Sequence, residues 1–171
     1  LNINFTYLIM SIEIYEIESF KDLNLFWNMF HDYINYIFEI SPLSKETFEY
    51  FLSKEYKDSV LELSERDFNP LKIIFFKEKD KIIGFATYII YIDESGKSII
   101  LEYCLNKDFR NKGLGKIAYN KLQEKMIKEG AKTIELTPTN KRNELFWKNN
   151  GFSDTRIFLQ DGRNLLIKKL R

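Results

Sequence analysis

The apolar residues of this chain change period at Pro70, and that change limits what the chain can fold into. Before it, Leu23, Phe26, Trp27, Phe30, Ile34, Ile37 and Phe38 recur at three- and four-residue spacing, the mark of a helix with one buried face. Ile12, Ile14 and Ile17 predict a short strand ahead of it, and Ser19 with Asp22 has the spacing of a capping box. Pro42 is expected to end this helix, and Ser44 to cap a second one. Leu43 and Phe48 are placed for a staple there, with Phe51, Leu52 and Tyr56 continuing the stripe. After Pro70, residues 72–76, 81–92 and 98–105 are rich in Ile, Phe and Tyr and are separated by turn residues, which predicts three strands in meander order. A helix is expected from Gly113 to Gly130, a strand over 133–137 ended by Pro138, and a short helix over 140–149. A hairpin over 152–159 and 164–170, turning at Asp161-Gly162, completes the chain. The order β-α-α-β-β-β-α-β-α-β-β implies an α/β fold, a mixed sheet with helices on both faces.

Composition removes several classes of function. At 171 residues the chain suits one domain with a real core. Its 26 basic and 25 acidic residues are interspersed, which gives no electrostatic reason to expect a nucleic-acid or membrane partner. Cys104 is the only cysteine, so no intrachain disulfide or thiolate metal cluster can form, and no metal is expected. A cytoplasmic location fits. His31 is the only histidine, which leaves a Ser-His-Asp triad one possible base. Residues 1–9 lack a basic start and a long apolar core, and Met10-Ser11 has the look of a natural start. Residues 1–9 are therefore expected to be an upstream segment outside the domain of residues 10–171.

The segment Arg110-Asn111-Lys112-Gly113-Leu114-Gly115 lies between a strand and a helix. Its glycines permit close backbone approach, the helix start offers free N–H groups, and Lys107, Arg110, Lys112 and Lys116 surround it with positive charge. Alone, it reads equally well as an anion site or an ordinary turn. A Rossmann reading fails for want of Gly-x-Gly-x-x-Gly. A P-loop reading fails too, because Gly115-Lys116 lacks both the earlier glycine and a following Ser or Thr. The segment does resemble the diphosphate loop of the GNAT acetyltransferase superfamily, Arg/Gln-x-x-Gly-x-Gly/Ala between the fourth strand and the following helix. Asn140, the aromatic pair Phe146-Trp147 and Gly151-Phe152 resemble a second motif of that superfamily, and the element order is similar over residues 10–171.

The resemblance implies a mostly antiparallel central sheet whose strands 4 and 5 splay apart for coenzyme A. Acetyl-CoA would then be the co-substrate. Tyr103, Cys104 and Leu105 would face the pantetheine arm, residues 110–116 (Arg110, Asn111, Lys112, Gly113, Leu114, Gly115, Lys116) would hold the diphosphate, and Asn140 and Trp147 would flank the arm. An amine would attack the thioester directly, which calls for a base. Glu102 and Glu135 are each the only charge in their strands, and each is either such a base, raised in pKa by burial, or an exposed or ion-paired strand glutamate. Glu102 ranks first. The resemblance places a tyrosine where Trp147 stands, as the acid for the departing thiolate. Without it the indole N–H could assist, Tyr103 or Tyr119 could act, or the protein could bind acyl-CoA without turnover. Cys104 reads as a small buried residue or an acyl acceptor, and His31 as a surface histidine or an acceptor contact. The leading expectation is an N-acetyltransferase for a primary amine of a small molecule or peptide, as monomer or homodimer. The rival is a non-catalytic acyl-CoA sensor or interaction module.

Overall fold

The computed structural model describes residues 11–41 and 43–170. Residues 1–9, Met10 and Pro42, on which expectations were placed above, lie outside them.

The strand β1 (Ile12–Glu16) leads into helix α1 (Phe20–Ile40), which begins with the expected capping box: the Ser19 side chain accepts from the Asp22 amide, and Asp22 reaches back to the Ser19 amide. The α1 helix ends where the Ser41 hydroxyl turns back to the Ile37 carbonyl at 2.7 Å. Phe26, Trp27, Phe30, Ile34 and Ile37 are buried as their spacing requires. Phe38 is not. It is 41% exposed and stacks on Phe48 at 4.4 Å.

The stripe from Ser44 to Tyr56 was expected to be one helix and forms two, α2 (Lys45–Leu52) and α3 (Lys54–Ser64). Ser53 divides them. Its backbone is extended, and its hydroxyl closes α2 on the Tyr50 carbonyl at 2.7 Å while accepting from the Tyr56 amide at the start of α3.

Strands β2 (Lys72–Glu78), β3 (Lys81–Tyr91) and β4 (Lys97–Leu105) form the expected meander. Helix α4 (Leu114–Lys128), strand β5 (Thr133–Leu136), helix α5 (Lys141–Asn149) and the hairpin β6 (Ser153–Phe158) and β7 (Asn164–Lys169) follow. The sheet order is β1-β2-β3-β4-β5-β7-β6, antiparallel throughout except for the pair β4–β5. Each face carries its own core. Ile74, Phe76, Tyr88 and Ile134 meet Ala118, Leu122 and Met126 of α4, whereas Phe75, Phe85 and Ile89 meet Phe26, Phe30 and Ile34 of α1.

One irregularity decides which face the candidate base occupies. On β3, Thr87 pairs with Glu102 and Tyr88 pairs with Ile100, so Leu101 is an extra residue on β4. In a regular strand Ile100 and Glu102 would share a face. Across the bulge they part: Ile100 joins the α4 core, with Tyr103 and Leu105 packing on the same side, and Glu102 turns with Cys104 toward α1.

On the α4 face, an ion cluster ties β1, β2 and β3 to the end of α4. Glu129 receives the Tyr88 hydroxyl at 2.8 Å and lies 3.2 Å from Lys72 and 2.8 Å from Lys125, and both lysines also reach Glu16. Glu129→Ala strands a buried hydroxyl and leaves two ammonium groups with one partner. A cost of about 2 kcal/mol is expected, since the cluster is only partly desolvated. In urea unfolding this appears as a lower midpoint at unchanged slope.

Candidate active site

The parallel pairing of β4 with β5 covers Lys97, Ser98 and Ile99 opposite Thr133, Ile134 and Glu135. Beyond Ile99 the two strands part. The β5 strand ends at Leu136, and Pro138 follows with no N–H to offer, whereas β4 runs on to Leu105. Residues 100–105 thus present a free edge to a gap between the strands, the geometry expected for strands 4 and 5.

At the far end of β4, the Asn106 amide bonds to the Ile83 carbonyl at 2.8 Å and one 3₁₀ turn follows over Lys107–Phe109. Asn111 (φ 60°) and Gly113 (φ 78°) are left-handed with Lys112 between them, and α4 starts at Leu114. Alternating handedness of this kind gathers successive N–H groups into an anion-sized concavity. The amides of Asn111, Lys112 and Gly113 have no acceptor among the described residues, and the first turn of α4 adds more free N–H groups behind them. A side chain at Gly113 would meet nothing within 4 Å, so the approach to these amides is open.

The cations differ in part from expectation. Lys107, Lys112 and Lys116 are exposed beside the loop. The guanidinium of Arg110 is occupied elsewhere. Its Nε donates to the Leu105 carbonyl at 2.7 Å, its Nη2 lies 3.7 Å from Cys104 Sγ, and it packs on the Tyr36 ring at 4.1 Å, pinning the end of β4 to α1. Arg142, which sequence reasoning missed, instead reaches Asn111 Oδ1 at 2.6 Å from the first turn of α5. Its one signal is its place two residues after Asn140, and that becomes meaningful only when α5 is seen beside the loop.

Asn140 caps α5, its Oδ1 accepting from the Asn143 amide at 2.9 Å. Asn143 Oδ1 in turn accepts from the Thr139 amide at 3.1 Å and from the Trp147 indole N–H at 3.2 Å. The indole expected to assist the departing thiolate is turned inward: Trp147 is 3% exposed, ringed by Tyr103, Tyr119, Phe146 and Phe152, and its one donor bonds inside its own helix. The alternatives are engaged as well. The Tyr103 hydroxyl donates to the Gly115 carbonyl at 2.6 Å, and the Tyr119 hydroxyl to Gln123 Oε1 at 2.9 Å. Trp147→Phe should therefore cost about 2–3 kcal/mol of stability, through the lost bond to Asn143 and the gap left among the four surrounding rings. Acetyl-CoA affinity and turnover should stay near the parent values. A rate loss at unchanged affinity and stability would place the indole at the reacting atoms.

Glu102 opens onto a cavity of about 150 Å³ between α1, α3 and the sheet, walled by Phe26, Phe30, Tyr50, Tyr56, Val60 and Leu63. Burial pushes its carboxyl up to about 7, against the opposing pull of the Tyr33 hydroxyl and the Arg163 charge. Glu135 lies on the same side at the closed end of the gap and pairs with Lys97 at 3.5 Å. Cys104 is buried, and burial lifts its thiol to about 11 despite nearby Arg110, which leaves it a neutral thiol and a poor acyl acceptor at pH 7. His31 does not line the Glu102 cavity; its Nε2 is buried with no partner among the described residues, and burial lowers its pKa, with Lys57 adding to the effect. Among the described residues, no helix is long and apolar enough to cross a membrane.

The model of the acetyltransferase (GNAT) family matches residues 36–152. A PaiA N-acetyltransferase from Thermoplasma acidophilum, solved with coenzyme A, matches with a TM-score of 0.73 at 22% identity, over 94% of this chain and 100% of that one. The aminoglycoside acetyltransferase AAC(6')-Ib, also with coenzyme A, matches with a TM-score of 0.63 at 16% identity, over 93% and 95% of the two chains. A GNAT family acetyltransferase from Elizabethkingia anophelis with acetyl-CoA bound matches at 0.60 and 16% identity, over 93% and 98%. At such identities the likeness is one of fold. No curated protein sequence matches the chain.

Proposed function

The chain belongs to the acetyltransferase (GNAT) family, and from that premise we propose that it transfers the acetyl group of acetyl-CoA to a primary amine of a small molecule or peptide, by direct attack with Glu102 as base. The observation that carries this reading is Glu102 itself. It is a carboxyl whose pKa its surroundings raise to about 7, three residues past the last β4–β5 pair, between the gap and a partly open cavity.

Acetyl-CoA supplies the activated acyl thioester. The free amides of residues 111–113 and the start of α4 receive the diphosphate, with Lys107, Lys112, Lys116 and Arg142 adding charge. The edge of β4 over Tyr103, Cys104 and Leu105 offers backbone donors and acceptors to the pantetheine arm and to the oxyanion that develops on attack. Asn140 uses its Oδ1 as a cap, so its Nδ2 is left for the arm. Glu102, ionised, takes a proton from the incoming ammonium and so frees the nitrogen lone pair for the thioester carbonyl. The thiolate departs as the anion, which a thiol of pKa about 8.5 allows without a side-chain acid, and the second proton on the nitrogen passes to that thiolate or to water as the C–S bond breaks.

That last point also sustains the rival reading. With Trp147, Tyr103 and Tyr119 all engaged, a protein that holds acyl-CoA without turnover would be built in the same way. Thiol release from acetyl-CoA, followed across a mixed panel of primary amines, separates the two. Amine-dependent release is expected, and tight acetyl-CoA binding with no release from any amine would favour the sensor.

A further inference from the structure

Resting on that reading of the site, we propose that the acceptor is a primary amine carrying a single aromatic ring on a short link, of the size of 2-phenylethylamine, and neither a polyamine nor an aminosugar. The size of the cavity is the first argument. At about 150 Å³ it matches an apolar cavity that takes one benzene, and it is far smaller than the 300–1,000 Å³ or so of sites for larger ligands. Its walls are the second. Phe26, Phe30 and Tyr56 give it aromatic surface, with Phe30 and Tyr56 stacked at 5.4 Å, and Val60, Leu63 and Leu71 make the rest of the lining mostly apolar, with Ser59 and Thr87 adding two hydroxyls. Such walls suit a ring and also the face-on approach of one ammonium.

Charge is the third argument. Among the described residues Glu102 is the only charged one lining the cavity, so one ammonium finds one carboxyl. The further ammonium groups of a polyamine or aminosugar would be desolvated there with no partner, which strongly disfavours them. Glu102 also stands on the cavity wall beside the gap, so an amine bonded to it leaves its ring among Phe26, Phe30 and Tyr56.

The test compares 2-phenylethylamine, ethylamine, spermidine and kanamycin in two measurements: thiol release from acetyl-CoA, and calorimetric binding to the protein saturated with coenzyme A. The ring amine should exceed ethylamine and spermidine in kcat/KM by about 10- to 100-fold, the span that burying one ring supplies. Val60→Phe fills the cavity and should remove that advantage while acetyl-CoA affinity is retained. Tyr50→Ala, at a position 42% exposed where folding tolerates change, should weaken it by opening one wall. Spermidine or kanamycin as the preferred acceptor would overturn the inference and leave acetyl transfer standing. Binding of the ring amine to the CoA-loaded protein without thiol release would support the cavity assignment and remove the transfer reading. Absence of both binding and release with every amine would overturn the two together.

Discussion

Glu102→Gln is expected to lower turnover by about 10²–10⁴-fold, the usual loss when a general base is removed, while acetyl-CoA affinity stays at the parent value. The parent rate should fall as pH drops through about 7, where the carboxyl takes up its proton, and the variant should lack that limb. The same shift has a consequence for stability. Folding raises this carboxyl from an ordinary 4.5 to about 7, so the folded state binds the proton more tightly than the unfolded chain does. Stability is then full below pH 4.5 and declines as pH rises through about 7, by at most about 3–4 kcal/mol. Glutamine carries no such burden. At pH 8 the inactive variant should unfold at higher urea than the parent, and a variant that loses both activity and stability would mark Glu102 as structural.

Gly113→Val should weaken acetyl-CoA binding by about 100-fold, the worth of one or two charge-assisted hydrogen bonds. The open space around Gly113 means that packing does not require glycine there; the backbone does. At φ 78° a β-branched residue is strained, and relieving the strain rotates the amides of Asn111, Lys112 and Gly113 out of their shared concavity. Gly115→Val acts differently, because a Cβ introduced there would lie 3.4 Å from the Phe146 ring and the further methyl groups would press on α5. For the parent, affinity near micromolar, on the order of −8 kcal/mol, is expected. Adenosine 3′,5′-bisphosphate should compete, and ATP with magnesium should not bind tightly. Calorimetry with unchanged affinity in Gly113→Val would contradict the assignment of the loop.

Much of this arrangement is legible from spacing. The helical stripe of α1, the three strands after Pro70 and the capping box at Ser19 are local patterns, and local patterns survive folding. The backbone shape of the loop from Arg110 to Gly115 is legible for a similar reason, since its glycines announce a turn between a strand and a helix. What spacing conceals is which way a side chain turns. No residue type marks Leu101 as a bulge, yet the bulge moves Glu102 from the α4 face to the cavity. Ser53 reads as one polar position in an amphipathic stripe, and only its two hydrogen bonds reveal a helix boundary. Arg110 and Trp147 sit where the motifs place them and are claimed by nearer partners: a carbonyl and the Tyr36 ring for one, Asn143 for the other. Tyr33 and Tyr56, which shape the surroundings of Glu102, come from helices that carry no motif at all.

The most direct measurement is a single turnover. Protein loaded with acetyl-CoA is mixed with 2-phenylethylamine across pH 5 to 9, quenched, and assayed by mass spectrometry for the N-acetyl amine, for free CoA thiol and for acetylated protein. The account predicts one N-acetyl amine for each thiol released, no acetyl group on the protein, and a rate that falls below about pH 7 in the parent. Acetylated Cys104 as an intermediate, or an equal rate and pH profile in Glu102→Gln, would contradict it.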